Sequence, residues 1–152
     1  LERTIRGGER VLDLGSGSGI LSITALLLGA KTAVGVDIDP KAEDIARENA
    51  AINALYADRF TAVTGDVIGD RAMMERLGDG YDIVLANIVA DVIIPLSPVV
   101  PHFLTKEGVF ICSGILDTRF DEVSAAIERA GMRIVSSDRQ EDWRRITAMR
   151  AE

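Results

Sequence analysis

The chain has 152 residues, of which 47% are apolar and 27% are charged, a composition that excludes a disordered protein and suits one domain, residues 1–152. Its net charge of −7 argues against a broad nucleic-acid-binding surface, and no apolar run approaches the roughly 20 residues of a membrane span. A single cysteine, Cys112, excludes an internal disulfide and favours a reducing compartment, so we expect a cytoplasmic protein without a membrane partner.

The first predicted elements surround a glycine-rich loop. A short apolar strand, residues 10–14, precedes a run in which glycine occupies every second position, and a strongly apolar helix, residues 19–28, follows it. The acid and the glycines of this D-x-G-x-G-x-G pattern are Asp13, Gly15, Gly17 and Gly19. Glycines permit positive φ and let a ligand lie against bare backbone, beside the free N–H groups of the helix start. The loop therefore predicts a binding site for a flat, polar or negatively charged ligand.

The spacing of the glycines distinguishes two kinds of nucleotide ligand. A dinucleotide fingerprint, G-x-G-x-x-G, would need its third glycine at position 20, where Ile20 lies. The next predicted strand, residues 32–37, ends in Asp37. This carboxylate can accept hydrogen bonds from two ribose hydroxyls, or it can cap the helix that follows. We therefore expect a ligand that carries a ribose, with a diphosphate less favoured and a nicotinamide enzyme as the alternative.

The central elements continue the alternation and add two polar residues at strand ends. A predicted strand over residues 60–64 leads to Asp66, which either closes a turn or contacts the exocyclic amine of adenine. A continuously apolar strand, residues 81–86, is typical of a sheet covered on both faces, and Asn87 ends it. The intervening helices are predicted over residues 40–53 and 70–77. In a doubly wound sheet, ligands bind beyond the carboxyl ends of the strands, so these two residues and Ser113 join Asp37 as candidates.

The C-terminal part ends in a predicted hairpin. Three prolines should break a helix over residues 90–103 into short turns. The last two strands are joined by only residues 138–142, too few for a helical crossover, so they must pair antiparallel. The remaining elements are a strand over 108–113, a helix over 118–130, and the last strands over 133–137 and 145–149. The pattern predicts an α/β protein with a doubly wound, mostly parallel sheet and no internal domain boundary.

The glycine loop and four further segments resemble known methyltransferases. The D-x-G-x-G-x-G pattern resembles motif I of the class I S-adenosylmethionine-dependent enzymes. Residues 86–90, A-N-I-V-A, resemble the A-N-I-L-A segment of the PrmA family, the methyltransferases of ribosomal protein L11. Further matches to that family, in the same order, are residues 34–40 (VGVDIDP), 113–116 (SGIL) and 141–144 (EDWR).

The resemblance implies a Rossmann-like sheet of seven strands with one antiparallel strand, and S-adenosylmethionine as cofactor. It implies methyl transfer to amino groups of ribosomal protein L11, at lysine or at the N-terminal amine. The catalytic residue would be Asn87, whose side-chain oxygen can accept an N–H bond and aim the amine. The residues expected to hold the cofactor are Asp13, Gly15, Ser16, Gly17, Gly19, Asp37, Ile38, Asp66 and Asn87.

The family also has a small upstream domain that presents the ribosomal protein. Because the chain begins at Leu1 rather than methionine and lacks that domain, we expect a fragment that binds the cofactor but methylates its protein substrate poorly. Two other functions remain open from the sequence. One is a methyltransferase acting on a small molecule or a nucleic acid, and the other is a cofactor-binding module without turnover.

The remaining polar residues receive structural interpretations. His102 is expected to be exposed, Cys112 to be a small buried residue, and Trp143 to pack on the sheet edge, although the resemblance leaves open a place near the substrate. No cluster of His, Cys, Asp or Glu has metal-ligand spacing, so no metal is predicted. A solvated face is expected for the arginines near the C-terminus, Arg133, Arg139, Arg144, Arg145 and Arg150.

Overall fold

Seven strands and six α-helices lie along residues 1–151, the part of the chain that the computed structural model describes. The strands are β1 (Arg10–Leu14), β2 (Thr32–Asp37), β3 (Phe60–Thr64), β4 (Tyr81–Asn87), β5 (Leu104–Leu116), β6 (Met132–Gln140) and β7 (Trp143–Arg150). The helices are α1 (Ile20–Leu27), α2 (Pro40–Ile52), α3 (Arg71–Leu77), α4 (Ala90–Leu96), α5 (Val100–Phe103) and α6 (Phe120–Arg129). The sheet has the order β3-β2-β1-β4-β5-β7-β6, with β7 antiparallel to both of its neighbours. The predicted doubly wound sheet with one antiparallel strand is confirmed.

The backbone divides into two compact units, of which the first is Leu1–Asp66. In this unit β1 pairs in parallel with β2, and β2 in parallel with β3. Helix α2 begins where predicted because Asp39 accepts a hydrogen bond from the Lys41 N–H and Pro40 occupies the first turn. It buries a stripe of small residues at a spacing of four, which is one face of a helix: Ala42, Ala46 and Ala50.

The second unit begins at Val67 and contains the other four strands. Strand β4 pairs in parallel with β5, and β7 lies between β5 and β6. Its interior is filled by large apolar side chains with no exposed surface, namely Ile93, Phe103, Phe110, Ile115, Ile127 and Ile146. The predicted helix over residues 90–103 is broken as expected, because α4 and α5 are separated by a 3₁₀ turn at Ser97–Val99.

The last three strands are longer than predicted. Strand β5 extends on both sides of the expected residues 108–113, since Leu104 is buried and pairs with Tyr81 of β4. The hairpin between β6 and β7 has only two residues outside the strands, whereas the predicted strands leave residues 138–144 between them. Glu141 in that turn has a φ of 56°, in the left-handed region that hairpin turns require. A glutamate gives no turn signal there, which explains why the sequence pattern missed the strand ends.

No helix among residues 1–151 is both long enough and apolar enough to span a membrane.

Candidate functional site

The glycine-rich loop joins β1 to α1 and folds onto the end of β2. Gly15, Gly17 and Gly19 have φ values of 73°, 52° and 82°, so all three need the left-handed region that glycine adopts without strain. The N–H groups of Gly15 and Ser16 both donate to the carbonyl of Val36, at 2.7 and 3.0 Å. The predicted glycine loop is therefore formed, and its backbone is anchored to the neighbouring strand.

Asp37, at the end of β2, ties the loop to the start of α2. Its Oδ2 accepts the Gly17 N–H at 2.9 Å, and its Oδ1 accepts the Asp39 N–H at 3.0 Å. Each carboxylate oxygen can accept two hydrogen bonds. One acceptor position therefore remains on each oxygen of this half-buried carboxylate, which matches the two hydroxyls of a ribose.

A fourth glycine, which the sequence reasoning did not select, makes room for the loop. A Cβ atom at Gly35 of β2 would lie 2.9 Å from both Cβ and Oγ of Ser16. Gly19 is also tightly packed, since a Cβ there would lie 3.1 Å from the Cβ of Ala46 in α2. By contrast, a Cβ at Gly17 would meet nothing within 4 Å. The middle of the loop thus faces open space while both ends are packed against the protein.

Asp13 lies in the interior rather than on the open side of the loop. Only 1% of its surface is exposed, and its Oδ2 accepts a hydrogen bond of 2.8 Å from the hydroxyl of Ser22, which is buried in α1. Burial raises the pKa of the Asp13 carboxyl to about 7, and the negative charge of Asp37 adds to this rise, although hydrogen bonds from Ser22 oppose it. Ser22, which no sequence motif indicated, is thus the partner that keeps this carboxyl in place.

Two further candidates of the first unit lie on its surface. Ile38 follows Asp37 and has 73% of its surface exposed, which is unusual for an isoleucine. Asp66 is exposed beyond the end of β3. The structure thus brings Asp37 together with the glycine loop, and it leaves Ile38 and Asp66 exposed after the ends of their strands.

Asn87 is the candidate residue of the second unit, and it ends β4 with an exposed side chain. Its partner in the neighbouring strand is Ser113 of β5. The next residue, Gly114, has a φ of 81°, and a Cβ there would lie 2.9 Å from the Asn87 Oδ1. The sequence reasoning noted Gly114 only as part of a family segment, because a contact across 27 positions has no local signal.

A cavity of about 550 Å³ opens beside Gly114. It is lined by residues of β5, β6 and β7, namely Ser113, Gly114, Asp138, Arg139, Gln140, Trp143, Arg144 and Arg145. Trp143 is half exposed and belongs to β7, an inner strand, so the prediction that it packs on the sheet edge is wrong.

The prediction of a solvated arginine face is also wrong for Arg144. Its Nη1 donates to Asp117 at 2.9 Å, and its guanidinium lies 3.7 Å from the centre of the Phe120 ring. These contacts hold the side chain against the protein, with only 20% of it exposed. Arg139 and Arg145 are exposed, as expected, and each makes an ion pair with an aspartate.

Two residues without a proposed function are placed as predicted. His102 is exposed, with its ring edge-on to Phe103 at a centroid distance of 5.3 Å. Cys112 is buried inside β5, and burial raises the pKa of its thiol to about 12. Within residues 1–151, no group of three or more His, Cys, Asp or Glu side chains is arranged to hold a metal ion.

Comparison with known proteins decides the family. The family model described as ribosomal protein L11 methyltransferase (PrmA) matches residues 1–151. The chain belongs to the PrmA family. The resemblance drawn from the glycine loop and the segment around Asn87 is therefore confirmed.

Individual members of the PrmA family agree with this assignment. The ribosomal protein L11 methyltransferase of Agathobacter rectalis is 47% identical over 141 residues, which cover 92% of this chain and 44% of that protein. The same enzyme of Lachnoclostridium phytofermentans is 42% identical, over 97% of this chain and 49% of that protein. The crystal structure of the ribosomal protein L11 methylase of Lactobacillus delbrueckii has a TM-score of 0.89 and 29% identity, over 99% of this chain and 74% of that one. The chain thus spans about half the length of these curated PrmA relatives.

Proposed function

We propose that this chain is the cofactor-binding and catalytic part of an S-adenosylmethionine-dependent methyltransferase that acts on amino groups of ribosomal protein L11. The observation that supports this most strongly is the open glycine loop held against Asp37. Membership of the PrmA family supports the choice of substrate. A ribosomal protein as substrate also supports a cytoplasmic location.

The residues of the first unit fit this cofactor. Asp37 keeps one acceptor position on each oxygen for the ribose hydroxyls, and exposed Ile38 offers an apolar surface for adenine. Asp66 is the residue proposed to contact the exocyclic amine of adenine. We assign contacts with the rest of the ligand to the backbone of the loop, at Gly15, Ser16, Gly17 and Gly19. A ligand can approach this backbone because Gly17 faces open space. Asp13 supports the loop from the interior through Ser22.

The main chemical task of the protein is to align the acceptor amine with the methyl group of the cofactor. The cofactor supplies an activated methyl group on a sulfonium, so transfer needs a neutral nitrogen lone pair in line with that methyl. At pH 7, removing the proton of a lysine with a pKa near 10.4 costs roughly 4.6 kcal/mol. The amide oxygen of Asn87, an exposed residue, can accept an N–H of the amine and direct its lone pair, which makes Asn87 the proposed catalytic residue. The proton leaves to water.

Replacing Asp37 with alanine is expected to weaken S-adenosylmethionine binding by about 10- to 150-fold. Hydrogen bonds to a charged group contribute about 1.5–3 kcal/mol, and the variant also loses the Gly17 N–H contact that holds the loop. Isothermal titration calorimetry of the two proteins measures the change.

Asp39→Ala is the matched control, because it removes the same charge two residues away. The Asp39 carboxylate bonds to the Lys41 N–H and not to the loop. It should cost about 1 kcal/mol of stability through the lost helix cap and leave cofactor affinity unchanged. Equal affinities for wild type and a folded Asp37→Ala protein would contradict the ribose assignment.

A second prediction concerns the part of its PrmA relatives that this chain does not span. We expect the 152-residue chain to bind the cofactor with an affinity close to that of the complete protein, but to methylate ribosomal protein L11 at least about tenfold more slowly. Contacts remote from the reacting atoms supply the effective concentration of a macromolecular substrate, and the relatives are about twice as long as this chain. Calorimetry and transfer of a radiolabelled methyl group measure the two quantities separately. Equal transfer rates would assign substrate recognition to this chain.

A further inference from the structure

Strand β5 carries an irregularity where it passes Asn87. Cys112 pairs with Ile146 of β7, and Ile115 pairs with Arg144. Between these two pairs the chain advances by three residues in β5 but by only two in β7, so β5 contains one extra residue. This is the definition of a β-bulge, a feature that redirects nearby side chains and is common next to active sites. Gly114 lies in the bulge with a φ of 81°.

The bulge brings bare backbone against the amide of Asn87. A Cβ at Gly114 would lie 2.9 Å from the Asn87 Oδ1, 3.4 Å from the carbonyl oxygen of Ile88 and 3.6 Å from the Ile88 nitrogen. Real Cβ atoms essentially never approach within 3.0 Å of another heavy atom, so any other residue at 114 would displace the amide.

The Asn87 amide oxygen lies where only a residue without a Cβ at position 114 leaves room for it. Among residues 67–151, no side-chain hydrogen bond holds Asn87. Its position therefore depends on the space left beside Gly114 and on the β4–β5 pairing that ends at Asn87 and Ser113.

We propose that Gly114 is a positioning residue for methyl transfer, which acts by leaving the space that fixes the side chain of Asn87. This inference rests on the proposed function, in which the Asn87 oxygen directs the acceptor amine. A side chain at 114 would turn the oxygen away from that direction, while the glycine loop and Asp37 of the first unit keep their structure. The expected signature is a lower kcat with an unchanged affinity for the cofactor.

Backbone strain alone could also damage a Gly114→Ala protein, so the control must carry the same strain. Gly131 is suited to this purpose, because its φ is 90° and a Cβ there would meet nothing within 4 Å. Gly131→Ala therefore imposes alanine on a left-handed backbone in the same unit without touching Asn87. A loss specific to Gly114→Ala then reports the contact and not the strain.

The test measures transfer of a radiolabelled methyl group to ribosomal protein L11 by the complete protein. Gly114→Ala is expected to lower kcat about 10- to 100-fold, the range for a misplaced catalytic group, with calorimetric cofactor affinity unchanged. Gly131→Ala should keep the wild-type kcat. In an Asn87→Ala background, Gly114→Ala should lower kcat no further, because the group it displaces is already absent. A further loss of tenfold or more in that background would overturn the proposal, as would an equal loss in Gly131→Ala.

A second measurement does not depend on activity. In ¹H–¹⁵N spectra, the Asn87 side-chain amide signal, assigned by its loss in Asn87→Ala, should shift in Gly114→Ala and stay in place in Gly131→Ala. If the wild-type protein transfers no methyl group to ribosomal protein L11, the proposed function fails, and this spectrum still decides whether Gly114 positions Asn87. An unshifted signal overturns the positioning role even if transfer is observed.

A Gly114→Ala protein that folds poorly still reports the contact with Asn87 through its thermal stability. Removing the Asn87 side chain frees the space that the new Cβ needs, so Asn87→Ala should restore the thermal midpoint lost in Gly114→Ala and should not restore the loss in Gly131→Ala. An equal response of the two glycine variants to Asn87→Ala would contradict the contact.

Discussion

Replacing Asp13 with asparagine is expected to make the chain several kcal/mol more stable near pH 8, relative to wild type, than the same replacement does near pH 4. The reason is the burial that raises the pKa of the Asp13 carboxyl from its ordinary 3.8 to about 7. Each pH unit between those values costs the folded state about 1.4 kcal/mol. The asparagine amide keeps an oxygen that can accept the Ser22 hydroxyl, but it carries no charge to bury.

The sign of the pH dependence follows from proton binding. Between about pH 4 and pH 7, the folded protein keeps a proton on Asp13 that the unfolded chain has already released. The contribution of Asp13 to the free energy of unfolding therefore falls as the pH rises through this window, and it is constant above it. Below about pH 4, both states are protonated and the ionisation of Asp13 gives the variant no advantage.

Urea denaturation of both proteins across this range measures the effect as the difference between the two curves. Asp58→Asn, which changes an exposed aspartate of the same unit, should give a curve parallel to that of the wild type. Parallel curves for wild type and Asp13→Asn would mean that Asp13 ionises in the folded protein as it does in water.

Asn87→Ala is expected to lower methyl transfer by the complete protein about 100- to 1,000-fold, the range for removing one group aimed at a reacting centre. Cofactor affinity should fall by about tenfold at most, because a lost neutral hydrogen bond between Asn87 and the cofactor costs only about 0.5–1.5 kcal/mol. The two quantities are measured by radiolabelled transfer and by calorimetry.

Asn53→Ala is the matched control for the loss of an amide. Asn53 is exposed at the end of α2, where its amide donates only to the carbonyl of Asn49. It should leave transfer unchanged. If Asn87→Ala weakened cofactor binding as much as it slowed transfer, Asn87 would be a cofactor residue and not the residue that directs the amine.

The parts of the site that could be predicted from sequence are those encoded locally. The loop from Gly15 to Gly19 and the acid at the end of β2 follow from a spacing of a few residues, because alternating glycines at positive φ can only form a tight turn. The strand ends were predictable for β1 and β3, where glycine follows at once, and for β2, whose last residue is an aspartate.

The rest depends on contacts between distant residues. Nothing near Asp13 in the sequence indicates that Ser22 will bond to it in the interior, because that contact forms only when α1 packs against β1. The Asn87–Gly114 contact spans 27 positions and depends on a bulge that no composition signal marks. Arg144 was grouped with its exposed neighbours because Asp117 and Phe120, which hold it, lie more than twenty residues earlier.

Because Cys112 is buried in β5, chemical labelling of its thiol reports local opening of the sheet around β5. The sole thiol has no exposed surface, and its high pKa keeps it in the unreactive protonated form at neutral pH. A thiol-reactive dye can therefore label the folded protein only during the intervals in which β5 separates from β4 or β7. The labelling rate measures how often this part of the sheet opens, without any engineered probe.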